Sequence, residues 1–178
     1  MRIFTGIVIA ILVCLAIPYF FKTFQLKTLS KADLPLEGNW AALSEGNVYF
    51  RWHSPSSEPN GDIVVLVHGF STPSFVWNGI LKDLLDGGFK VLVFDHYGRG
   101  FSERPKKAYS KDFYVKELND LLKSQNIIIP VHFVGYSMGG PIVGFFADEY
   151  PDKVMTLTLI APAGFAALVP ASSFDNLM

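Results

Sequence analysis

The hydrophobic pattern of this chain changes character along its length. Residues 3–21 read IFTGIVIAILVCLAIPYFF, without a charge. A run of about 19 apolar residues is enough to cross roughly 30 Å of hydrocarbon as a helix. Arg2 and Lys22 bracket it, and Tyr19, Phe20 and Phe21 at its far end suit a membrane interface. A cleaved leader would have a shorter apolar core and a small-x-small site. Val13 before Cys14 makes a poor lipoprotein box. Residues 1–22 are therefore expected to be a single-pass membrane anchor, with membrane lipid as the partner of residues 3–21. Arg2 and the terminal amine face Lys22, Lys27 and Lys31, so the positive charges leave the orientation open.

Residues 23–47 are expected to hold a connector and a first strand. The alternation in Val48–His53 predicts a half-exposed strand. Asn60-Gly61, closing a polar Ser54–Gly61 stretch, predicts an antiparallel hairpin into the short apolar run Ile63–Val67. Helical and buried-strand patterns then alternate. Ser74–Asp86 is helical, with Phe75, Ile80, Leu81, Leu84 and Leu85 on one side and Gly87-Gly88 as its stop. Val91–Phe94 is a strand, Lys111–Lys123 an amphipathic helix, and Val131–Val134 a strand. Met138–Tyr150 is a helix ended by Pro151, and Met155–Ile160 a further buried strand. This succession predicts an α/β fold: a doubly wound, mostly parallel sheet with helices on both faces. Residues 48–178 form that domain.

Composition adds exclusions. The chain has 178 residues, 15 Lys+Arg against 16 Asp+Glu, and a formal net charge of -1. That balance offers no electrostatic footprint for nucleic acid. With Cys14 as the only cysteine, neither an intrachain disulfide nor a Cys-based zinc site can be built. The four histidines lack ligand spacing, so neither a metal nor an organic cofactor is expected.

Ligands of an open parallel sheet bind at the carboxyl ends of its strands. Three Gly-containing turns fall there: His68-Gly69-Phe70, Asp95–Ser102 (DHYGRGFS) and Gly135–Gly140 (GYSMGG). Gly135-Tyr136-Ser137-Met138-Gly139 fits G-x-S-x-G, between an apolar strand and a helix. That turn puts a serine hydroxyl at the top of the sheet on a sharp, strained bend. Gly135 and Gly139 remove side chains where strand and helix converge, and Gly140 allows close helix packing. Acyl transfer also needs two N–H donors aimed at the developing oxyanion. The amide of Met138 is one candidate and that of Phe70 the other, with His68 and Gly69 supporting the loop. The His68 imidazole is read as hydrogen-bonded within that loop. Asp95–Ser102 is read as a structural turn bordering the site, with Asp95 or His96 as catalytic groups the alternative.

The three motifs, in this order at strand ends, resemble those of the α/β-hydrolase superfamily, in its single-domain esterase and lipase branch. The resemblance runs from about Val48 to Gly164. It implies Ser137 as nucleophile and Phe70 and Met138 as oxyanion-hole amides. Serine at 137 argues against the aspartate-using epoxide hydrolase and dehalogenase branches. The family's triad continues with an acid and then a histidine. No histidine follows Ser137: the four are His53, His68, His96 and His132. His132 sits at the opposite end of its strand. His96 is expected two strands from Ser137, about 10 Å at 4.8 Å per strand. Ala161–Met178 resembles the start of a lid. Two readings follow. One is a membrane-anchored serine hydrolase of lipid-like acyl esters, seen here as a fragment without its acid and histidine. The other is a non-catalytic pseudo-hydrolase or split product that binds acyl ligands or a partner.

Overall fold

The computed structural model describes residues 12–21 and 38–164. The chain divides into two compact units, residues 1–33 and 34–178. In the first, residues 12–21 are helical, and Leu12, Val13, Leu15, Ile17, Tyr19, Phe20 and Phe21 are exposed. The rest of the expected anchor, residues 3–11, lies outside the described residues. Among the described residues no helix is long and apolar enough to cross a membrane.

The second unit is a six-stranded sheet. Its strands are β1 (Asn39–Leu43), β2 (Gly46–His53), β3 (Ile63–Val67), β4 (Lys90–Phe94), β5 (Val131–Tyr136) and β6 (Val154–Ile160). Across the sheet they run β1-β2-β4-β3-β5-β6. The pairs β4–β3, β3–β5 and β5–β6 are parallel, and β1–β2 and β2–β4 antiparallel. Among the described residues three helices cover it: α1 (Asn78–Asp86), α2 (Lys111–Ser124) and α3 (Gly139–Glu149). The expected helix from Ser74 begins as a 3-10 turn, Ser74–Trp77, before α1.

The two-residue period of the strands sorts the core into two layers. Val64, Leu66, Val91 and Val93 pack with Trp77, Leu81, Leu84 and Leu85 on the α1 side. Val65, Val67, Leu92, Phe94 and Phe133 pack with Leu118, Leu121, Leu122, Val143 and Phe146 of α2 and α3. Helix ends follow local chemistry. Ser110 Oγ accepts from the amide of Phe113 and caps α2. Past α1, Gly88 at φ +84° takes the left-handed conformation. Its amide reaches Leu85 O and that of Phe89 reaches Leu84 O, the paired bonds of a Schellman stop.

Two expectations need correction. The hairpin at Asn60-Gly61 does not form, because β4 lies between β2 and β3. Asn60 instead makes an Asx turn, its Oδ1 accepting from the amide of Asp62 at 2.9 Å. Its own amide donates to Gly88 O at 3.0 Å, tying the start of β3 to the turn after α1. The antiparallel entry is β1–β2, whose register joins Leu43 directly to Gly46. The second correction concerns β6, which is half-exposed to exposed throughout, with Met155 48%, Leu157 38% and Ile160 41% accessible. Among the described residues nothing pairs with its outer side, since it ends the sheet.

An apolar edge strand without Lys or Pro is a template for edge-to-edge pairing. The detergent-solubilised chain is expected to self-associate through β6. Replacing both Met155 and Leu157 with lysine should shift its size-exclusion profile toward monomer; an unchanged profile contradicts this role of the edge.

Candidate active site

Strand β5 carries Ser137 to the top of the sheet, and the backbone there turns sharply. Ser137 sits at φ +52°, in the left-handed region. That conformation costs a non-glycine residue about 1–2 kcal/mol, so its surroundings must hold it. The amide of Ser137 donates to Ile160 O at 3.0 Å, at the end of β6. Its carbonyl accepts from the amides of Gly140 at 3.0 Å and Ala163 at 2.9 Å. The start of the segment following β6, which by resemblance opens a lid, thus clasps the turn.

Neighbouring glycines permit the approach. A Cβ on Gly135 would lie 2.6 Å from Gly139 O, and one on Gly140 would lie 2.6 Å from Pro162 Cβ. On Gly139 it would run into the carbonyls of Val67 and His68. Strand, helix and the end of β3 therefore converge at backbone distance. A Cβ on Gly69 would come within 2.9 Å of Ser137 Cβ and 3.4 Å of its Oγ. The structure thus brings the Gly69 backbone, between His68 and Phe70, against Ser137.

Ser137 Oγ and the amides of Phe70 and Met138 have no hydrogen-bond partner among the described residues. Phe70 is 65% exposed. Arg99 stacks its guanidinium 4.2 Å from the Phe70 ring and donates from Nε to Phe70 O at 2.5 Å.

His68 is fully buried. Its Nε2 accepts from the amide of His96 at 2.9 Å, which puts the ring proton on Nδ1, 2.7 Å from Gly69 O. Nδ1 is thereby bonded within the loop, as expected from the sequence, and Nε2 is bonded to the turn after β4. His96 is also fully buried, with Nδ1 2.5 Å from Glu117 Oε2. Its strand, β4, lies two positions from β5. His132 Nδ1 bonds Thr156 Oγ1 at 2.7 Å near the start of β5, away from the rim.

Asp95–Ser102 is a structural turn. Asp95 Oδ1 accepts from the amide of Ser74 at 2.8 Å and Oδ2 from that of Phe101 at 3.0 Å. Ser102 Oγ accepts from the amide of Tyr49 at 2.8 Å and donates to Asp95 O at 2.5 Å. Gly100, at φ +46°, passes so close to the Asp95 carboxylate that no side chain fits. Sequence reasoning missed Glu117. Its signal was a carboxylate three residues after Tyr114 and four before Leu121, on the buried stripe of α2.

Burial holds both His68 and His96 far below the ordinary imidazole value, to about 3. For His68 burial is the largest cause and the neighbouring His96 lowers it further; for His96 burial outweighs the opposing pull of Asp95. Burial pushes Glu117 the other way, well above the usual carboxylate range. The folded protein therefore keeps both imidazoles neutral, whereas the unfolded chain protonates them near 6.5. Unfolding takes up protons between pH 6.5 and about 3, so their stabilising contribution falls as pH falls through that window. In an NMR titration from about pH 8 to about pH 5, the His68 and His96 ring signals should not shift. A titration midpoint near the ordinary histidine value for either would contradict the burial account.

The profile of the α/β hydrolase fold family matches residues 62–178. The chain is 34% identical over 122 residues to the monoacylglycerol lipase abhd6-B of Xenopus laevis, covering 68% of this chain and 36% of that protein. It is 31% identical over 145 residues to Lipase 3 of a Moraxella species, covering 80% and 44%. The chain thus spans less than half the length of these curated relatives. A probable hydrolytic enzyme from Pseudomonas aeruginosa superposes with a TM-score of 0.67 at 26% identity, over 79% of this chain and 45% of that one. With its sheet order, its strained serine turn and these matches, the chain belongs to the α/β hydrolase fold family.

Proposed function

We propose that the chain is the nucleophile-bearing part of a membrane-anchored serine hydrolase of carboxylic, lipid-like acyl esters. The observation that carries this reading is Ser137 at φ +52°, its hydroxyl without a partner among the described residues, pressed against the loop of Gly69. Ser137 Oγ attacks the ester carbonyl and forms an acyl-enzyme, which water then hydrolyses. The Phe70 and Met138 amides donate to the oxyanion, each worth about 3–4 kcal/mol of transition-state stabilisation. The start of α3 adds positive partial charge beside it.

Serine needs a base to take its proton. His68 and His96 are buried and bonded elsewhere, so the base and its acid are assigned to sequence outside these 178 residues. The partial coverage of the lipase relatives supports that assignment. Residues 1–22 are the proposed anchor, 23–47 a connector with the first strand, and 48–178 part of the hydrolase domain. The uncharged run of residues 3–21 supports the anchor, and together with the lipase relatives it favours an acyl substrate in or near a bilayer.

A second reading is a non-catalytic pseudo-hydrolase, favoured by one observation: both ring nitrogens of His68 are committed to backbone groups. The protein extended by any in-frame sequence after Met178 separates the two. It should react with a fluorophosphonate probe at Ser137, and Ser137→Ala should abolish labelling. The 178 residues alone should retain only the residual acceleration of a base-deleted triad enzyme, about 10³–10⁴ over water. Labelling that persists in Ser137→Ala moves the nucleophile elsewhere; an extended protein that never labels favours the second reading.

A further inference from the structure

Glu117 is the one carboxyl among the buried residues of α2. It is 2% exposed, and two hydrogen bonds define its surroundings. Oε1 accepts from the amide of Tyr97 at 2.5 Å, and Oε2 lies 2.5 Å from His96 Nδ1. Both partners belong to the turn after β4. The next links continue toward the serine. The amide of His96 donates to His68 Nε2 at 2.9 Å, and His68 Nδ1 donates to Gly69 O at 2.7 Å.

The last link bears on chemistry. The Gly69 carbonyl and the Phe70 N–H belong to one peptide unit. That unit is planar and trans, so its N–H points opposite to its C=O. Holding Gly69 O against the His68 ring therefore sets the direction of the Phe70 amide. From the other side, Arg99 Nε holds Phe70 O. We propose that Glu117 is a positioning residue that aims the Phe70 amide at Ser137, acting through Tyr97, His96 and His68. Its catalytic consequence rests on the serine-hydrolase reading; the structural link does not.

Neutral forms of Glu117 and His96 fit the two bonds of Glu117 and place the His96 ring proton on Nε2, which is buried without a partner among the described residues. Burial favours a neutral Glu117 and a neutral His96. A protonated carboxyl donates from Oε2 to His96 Nδ1 while its carbonyl Oε1 accepts from Tyr97. Glutamine reproduces that pattern, with its amide nitrogen as donor and its oxygen as acceptor. Leucine fills the space and makes neither bond. A residue that served packing alone would tolerate leucine better than the positioning role allows. The buried amide of Tyr97 and the ring of His96 would lose their partners, and the turn under His68 would loosen.

The test uses the full chain with any in-frame continuation, in three forms: wild type, Glu117→Gln and Glu117→Leu. Long-range proton–nitrogen NMR reads the histidine rings and needs no turnover. In wild type and Glu117→Gln at neutral pH, His68 should carry its proton on Nδ1 and His96 on Nε2. In Glu117→Leu the exchange of the His96 amide should accelerate about tenfold or more as the turn loosens. Ester turnover reads the consequence. Glu117→Leu should lower kcat by about 10- to 100-fold, short of the loss of a whole oxyanion donor. KM should stay within about twofold, because the amide acts on the transition state, and Glu117→Gln should restore kcat.

A wild-type His68 carrying its proton on Nε2 overturns the proposal, as does a Glu117→Gln enzyme that loses kcat about tenfold. A folded Glu117→Leu enzyme with normal kcat and normal His96 exchange overturns it as well. If Glu117→Leu does not fold, the wild-type ring protons and the Glu117→Gln kinetics decide. If no form turns over ester while the NMR results are as expected, the serine-hydrolase reading fails and the link from Glu117 to Gly69 stands.

Discussion

The left-handed backbone at Ser137 is the constraint on which the rest of the site depends. One residue between β5 and α3 takes φ +52°, and backbone hydrogen bonds to Ile160, Gly140 and Ala163 hold it there. A strain of about 1–2 kcal/mol is small beside the stability of a domain, but large for a single turn. It persists because the turn is bonded on both sides. Ile160 and Ala163 hold its amide and carbonyl from the β6 side. The glycines at 135, 139 and 140 let β5, α3 and the end of β3 meet at backbone distance. The chain reversal leaves Ser137 Oγ without a hydrogen-bond partner among the described residues, at the end of the sheet where the loop of Gly69 arrives.

That loop is supported from beneath. Its histidine is part of a buried polar chain running from α2 through the turn after β4 to the Gly69 carbonyl. Buried polar groups are costly unless bonded, and bonded they fix one arrangement. The turn of Asp95–Ser102 does the same on its own scale, each Asp95 oxygen taking one backbone amide. The proposed oxyanion donor and the serine thus rest on two separate sets of hydrogen bonds, joined where Gly69 meets Ser137. The parallel order β4-β3-β5 accounts for this, since it sets all three Gly-containing turns along one rim.

Much of this was legible in the sequence because the signals were local. Ile63–Val67 and Val91–Phe94 are short apolar runs and Val131–Val134 is interrupted only by His132, as suits covered parallel strands, and each appears in the sheet. Gly87-Gly88 stops α1 through a left-handed glycine, a requirement visible in composition alone. His68 as a loop residue was also readable. What escaped depended on partners. Asn60-Gly61 marks a turn but cannot say which strand lies next to which, and β4 intervenes. β6 is as apolar as a buried strand, yet burial depends on what covers it, and here it ends the sheet. Glu117 was hidden by the habit of placing charges on the wet face of an amphipathic helix. Its spacing from Tyr114 and Leu121 put it on the dry one.

The most direct measurement of the central claim compares Ser137→Gly with Ser137→Ala by chemical unfolding. Glycine takes φ +52° without the Cβ penalty, whereas alanine keeps it. If the turn is strained and held by its neighbours, Ser137→Gly should be more stable than Ser137→Ala by about 1 kcal/mol, the usual cost of a left-handed non-glycine residue. Equal stabilities, or a less stable glycine variant, would mean that the serine turn is not the strained element on which the site is built.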